Sequence, residues 1–79
     1  MMNDRDKLRV LIPHWIEHNH EHAEEFRRWS ESAGEVAGDI LDAASAMDRV
    51  NEILETALEK LGGPLPHDQL HHHGHQESE

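Results

Sequence analysis

Residues 36–64 read VAGDILDAASAMDRVNEILETALEKLGGP, and their spacing decides the fold. Val36, Ile40, Ala43, Met47, Val50, Leu54, Ala57 and Leu61 alternate at intervals of four and three, the pattern of a helix with a nearly unbroken a/d seam. A strand buries every second residue, so this period argues against a sheet. Gly62-Gly63-Pro64 supplies the stop, because glycine accepts the left-handed backbone that closes a helix and proline cannot continue one. Gly38 costs about 1 kcal/mol against alanine inside a helix, and nothing in the sequence explains it.

Working backward, Ser32-x-x-Glu35 has the form of a capping box and Gly34 suits a left-handed position, so a tight turn is expected within residues 32 to 35. An earlier helical period carries Leu8, Leu11, Ile12 and Trp15, from a start that Asn3 or Asp4 can cap. Pro13 removes one hydrogen bond and disfavours helical backbone at Ile12, which predicts a kink or break there and a main first helix from about Pro13 to Ser32. Folding the helices back about the turn gives an all-α antiparallel hairpin, with Trp29 and Phe26 facing Ala43, Ala44 and Ala46, and Trp15 facing Val50 and Leu54. Ile12, Phe26, Ala37, Ala44 and Leu58 lie beside the seams and leave apolar surface. Two hairpins pairing as a homodimeric four-helix bundle would cover it. The hairpin domain is assigned to residues 1–63. Residues 64–79 form a histidine-rich tail whose lack of apolar periodicity predicts disorder.

Bulk properties narrow the function classes. Of 79 residues, roughly 60 are foldable, a size at which one core is marginal and self-association or a bound ion is expected to help. There is no cysteine, so disulfides, thiolate sites and iron–sulfur clusters are excluded and imidazole or carboxylate must supply any ligands. The formal charge is −10, and the seven basic residues are scattered, which argues against nucleic acid. The apolar stretch LRVLI, ended by Pro13, is too short for a signal or a membrane span, so a soluble cytoplasmic protein is expected. An acidic surface also raises the local cation concentration.

The chemistry lies in PHWIEHNHEHAEEF, residues 13–26. On a helical register Leu8, Leu11, Trp15, His18, His22, Glu25 and Trp29 form one stripe, in which His18, His22 and Glu25 interrupt apolar positions. Imidazole and carboxylate in a seam are costly unless paired or bound to metal. An i, i+4 histidine pair spans about 6 Å of rise, and both rings can reach one zinc, nickel, cobalt or copper ion. His14 is in phase, but about 12 Å from His22 along the axis, so a straight helix cannot bring all three to one ion. His18 and His22 are the central ligands of a mononuclear site, completed by a carboxylate, water or the same pair from a second chain. Glu21 and Glu25 also reach that region, so a two-ion, carboxylate-bridged site in a dimer stays open. Glu17-x-x-His20 points outward. The alternative is that His18 and His22 are neutral core histidines bonded to Glu25, Asn19 or a partner carboxylate, setting register. Trp15, Phe26, Trp29 and Met47 are assigned to packing. Arg27 and Arg28 are assigned to a solvated face with pairs to Glu24 and Glu31.

The tail holds His67, His71, His72, His73 and His75. Clustered imidazoles on a flexible arm collect nickel, zinc or copper with modest selectivity, as a reservoir or hand-off arm to a protein partner. Alternatively the arm is a linker whose charge changes below about pH 6.5.

The segment IPHWIEHNHEHAEEFRRWSE resembles the core of a family of small bacterial and archaeal proteins with a PHWIEHN-x-EHAEEFRRW pattern, often followed by Gly-Gly-Pro and a histidine-rich tail. The resemblance spans roughly residues 8 to 63. It implies a helical hairpin, marks His14, His18 and His22 as family positions and His20 as variable, and carries no activity with it. HNHEHAEEF is also similar to helices of ferritin-like and hemerythrin-like metal bundles, although the other carboxylate-bearing helices of such a site are not recognisable.

The leading expectation is a small metal-binding helical protein: a chaperone, buffer or sensor component for nickel, zinc, cobalt or copper. A non-catalytic oligomerisation or interaction module with structural histidines is the alternative, and a minimal di-iron or dicopper oxidoreductase at a dimer axis the third. No residue sits in a recognisable nucleophile setting, so hydrolase and transferase chemistry has no support.

Overall fold

The structure, a computed structural model, describes residues 2–66. Among these residues the elements are α1 (Asp4–Ser30), a 3-10 turn (Gly34–Val36) and α2 (Ala37–Leu61), with the two helices packed as an antiparallel hairpin and no strand. The histidine-rich residues 67–79, where disorder was expected, lie outside the described residues.

Asn3 caps α1: its side-chain oxygen accepts from the Asp6 N–H at 2.8 Å, one of the donors that a helix start leaves unpaired. Asp4 and Asp6 in the first turn, and Arg27 and Arg28 in the last, complement the helix dipole. The helix continues through Pro13 without a break. Proline has no N–H for the Arg9 carbonyl four residues earlier, and that carbonyl instead accepts the N–H of Leu65 at 3.2 Å. The chain after α2 therefore folds back to satisfy the group that Pro13 orphans.

The capping box does not form. Neither the 3-10 turn nor α2 has a side-chain cap bond; α1 ends at Ser30, and the N–H groups of Ser32 and Ala33 donate to the carbonyls of Trp29 and Ser30. Gly34 has φ +61°, as expected for a left-handed position. At the far end of α2, Gly62 has φ +108°, its N–H donates to the Glu59 carbonyl, and the Gly63 N–H donates to that of Leu58. This double bond pattern is the Schellman stop. Arg9 reinforces it, Nε donating to the Gly63 carbonyl at 2.7 Å and Nη2 to that of Gly62 at 3.1 Å, while Arg5 donates to that of Leu61.

On α1 the helices meet along a stripe one residue away from the expected one, whereas on α2 part of the expected seam stays inside. On α1 the inward residues are Ile12, Ile16, Asn19, Ala23, Phe26 and Ser30; on α2 they are Ile40, Ala44, Met47, Asn51, Leu54 and Leu58. Ala23 and Ala44, both fully buried, let the backbones approach. Ile40, Met47 and Leu54 were expected inside, but Val36 and Val50 are exposed, as are Trp15 and Trp29 at 43% and 64%. The tryptophans are thus not core residues of the single hairpin. A polar link explains the rotation: Asn19 Nδ2 donates to Asn51 Oδ1 at 3.0 Å, and Asn51 Nδ2 to the Ile16 carbonyl at 3.1 Å. Arg27 is not merely solvated, since it reaches across to Asp48 as well as to Glu24.

Candidate metal site on the apolar face

Stepping one residue back from the inward stripe turns α1 to Leu8, Leu11, Trp15, His18, His22, Glu25 and Trp29, and turns α2 to Asp39, Ala43, Ala46, Val50, Ile53 and Ala57. In an antiparallel pair of right-handed helices the same backward step, about 100° on each, points both stripes to the same side. The stripe on α1 is exposed throughout, and that on α2 everywhere except half-buried Ala57. The opposite side carries Glu17, Glu24, Asp48, Glu52, Glu55 and Glu59, with Leu41 its exposed large apolar residue on α2. The hairpin is amphipathic as a whole, and His18 and His22 lie on the apolar side.

His18 and His22 stand one turn apart at the centre of that side, both exposed. His22 Nδ1 is 3.8 Å from Glu25 Oε1, with both side chains about half exposed (56% and 50%). The His22 ring stacks near Phe26, centroids 6.4 Å apart. Neither histidine is a core residue of the single hairpin, and Asn19, a suggested partner for them, bonds Asn51 instead. Two imidazoles and one carboxylate therefore share one exposed patch, a donor set suited to divalent ions of the zinc, nickel, cobalt or copper type. Among the described residues no group of three or more such side chains is arranged to hold an ion.

The other proposed ligands are placed apart from this pair. His14 lines a shallow depression with Val10, Pro13, Glu17 and Leu65, beneath the returning chain. Glu21 is exposed on the outer flank of α1, away from α2. His71, His72, His73 and His75 lie outside the described residues. Sequence reasoning missed Arg5, Arg9 and the Asn19–Asn51 pair. Pro13 followed by a Gly-Gly-Pro stop was the available signal for the first two, since it leaves a carbonyl and a helix end both in need of donors.

A family model described as domain of unknown function (DUF8180) matches residues 8–61. An uncharacterised protein of Archaeoglobus fulgidus is 34% identical over 61 residues, covering 72% of this chain and 98% of that protein. No solved structure matches, so the likeness to ferritin-like and hemerythrin-like helices gains no support. No described helix is long and apolar enough to cross a membrane.

Proposed function

We propose that this chain, which belongs to the DUF8180 family, binds a divalent transition metal ion through His18 and His22, as a small cytoplasmic buffer, chaperone or sensor component for nickel, zinc, cobalt or copper. The observation that carries this reading is where the two imidazoles stand: one turn apart, exposed, and in the middle of a stripe that is apolar apart from them and Glu25. An i, i+4 pair offers two nitrogens to one ion. Glu25, beside His22, supplies a carboxylate that either binds directly or orients the ring through its second nitrogen. The tail histidines act as an auxiliary arm that gathers ions and hands them to a protein partner.

The test uses the full chain with His67, His71, His72, His73 and His75 replaced by serine, titrated calorimetrically with Zn2+, Ni2+, Co2+ and Cu2+. Binding at a fixed ratio, lost in the His18→Ala/His22→Ala variant, is the expected result. Equal affinity in that variant would remove the helical site from consideration.

A second reading, an interaction module with structural histidines, is favoured by the apolar face itself, since isolated domains seldom expose such a continuous patch. Under it, melting is unchanged by chelator or by added metal.

A further inference from the structure

We propose that a second copy of the chain covers the apolar face, with α1 antiparallel to the partner's α1 about a twofold axis between His18 and His22, so that four imidazoles meet at the interface. The identity of the ion rests on the metal reading above; the pairing does not.

The need for a cover is physical. Of the apolar side chains among the described residues, only Val10, Ile12, Ala23, Ala44 and Leu58 are buried, while Leu8, Leu11, Trp15, Trp29, Val36, Val50 and Ile53, and Leu41 on the opposite side, are each at least 36% exposed. The described chain spans 14 Å in its thinnest direction, one layer of helices, whereas stable domains close a core between two layers. Residues 67–79 contain one large apolar side chain, Leu70, and so carry little with which to cover the face. Two helices of 27 and 25 residues present a face roughly 35–40 Å long. Its area is on the order of the 800 Å² per partner that stable complexes bury.

The seams point to a second copy. From Leu11 to Trp29 the α1 spacing is four, three, four, three, four, the same in both directions. Two antiparallel copies therefore align layer for layer: His18 with the partner's His22, Trp15 with the partner's Glu25, and Leu11 with the partner's Trp29. The first layer occurs twice and gathers four imidazoles. The second sets an indole N–H donor beside a carboxylate acceptor. The seam of α2 is in phase. The Asn19–Asn51 hydrogen bond puts Val50 level with the midpoint of His18 and His22. The same axis thus sets Val50 and Ile53 against the same residues of the partner subunit near its centre, with Ala46 and Ala57 on either side permitting close approach. Sliding the copies toward their N-termini by one layer would oppose His22 to the partner's Trp15 and Glu25 to the partner's Leu11. The other face-to-face twofold, which lays α1 on the partner's α2, buries His18 and His22 against Val50, Ile53 and Ala46 of the partner subunit. Both arrangements strand polar groups without partners. Four histidine nitrogens satisfy a tetrahedral ion, and neither copy supplies more than two of them.

The two arrangements put the hairpin turns in different places. With α1 against the partner's α1, the two Ser32 positions lie at opposite ends of the dimer, roughly 35 Å or more apart; in the other arrangement they share an end. The chain has no cysteine, so a nitroxide on Ser32→Cys reports one distance. Light scattering on chelator-treated full chain, then electron–electron resonance on the labelled dimer, then native mass spectrometry with Zn2+ on the tail-substituted chain make the test. A metal-free dimer with the long distance and one ion per two chains is expected, and Val50→Asp should turn it monomeric with its helicity retained. A monomer at 100 μM, or a short Ser32 distance, overturns the pairing. A dimer with the long distance that takes up no ion overturns the four-imidazole site and the metal reading with it, and leaves the pairing standing.

Discussion

Gly38 is the one helical residue whose side chain is absent without a structural use. A methyl group there meets nothing within 4 Å, so Gly38→Ala should stabilise the protein by about 0.5–1 kcal/mol through reduced freedom of the unfolded chain, measured by urea denaturation. Asn51 is the opposite case. It is 9% exposed and bonded to both Asn19 and the Ile16 carbonyl, so Asn51→Ala should cost about 1–3 kcal/mol by leaving Asn19 without its partner. Much of that loss should return in Asn19→Leu/Asn51→Leu, where both polar groups leave together. Neither asparagine was legible as an interior residue, because a helical period shows which positions share a face but not which face turns inward when two adjacent stripes are both plausible.

At the scale of the element, the ends of α1 and α2 depend on each other. Arg9 donates to two carbonyls at the end of α2 while its own carbonyl accepts from Leu65. Arg9→Ala should therefore cost about 1–2 kcal/mol, less than a fully buried charged bond because the side chain is 22% exposed. Pro13→Ala restores a helical N–H for the Arg9 carbonyl, and hydrogen exchange should then find the Leu65 amide less protected. The glycine stop, the Asn3 cap and the helical nature of both segments were readable from local residue chemistry. The continuity through Pro13 was not, because the donor that makes it tolerable comes from 52 positions along the chain (Leu65 to Pro13). The Ser32–Glu35 capping box matched in sequence and failed in structure, since a 3-10 turn intervenes before α2.

At the scale of the molecule, a bound ion should act on the whole fold. If His18 and His22 hold an ion, zinc at 100 times its dissociation constant should add about 2.7 kcal/mol to the unfolding free energy of the tail-substituted chain, and nothing in its His18→Ala/His22→Ala variant. Thermal melts of the two with and without chelator check this. The all-α hairpin, the place of its turn and the stripe containing His18, His22 and Glu25 were determined by the sequence alone, because helical period, glycine stops and heptad spacing are local properties. Which stripe becomes the core was decided only by tertiary structure. Both helices carry two neighbouring stripes with apolar residues, so helical period by itself does not choose between them. The Asn19–Asn51 bond and the close approach at Ala23 and Ala44 choose one. That choice turns the histidines from the core of a hairpin to the exposed centre of its apolar face.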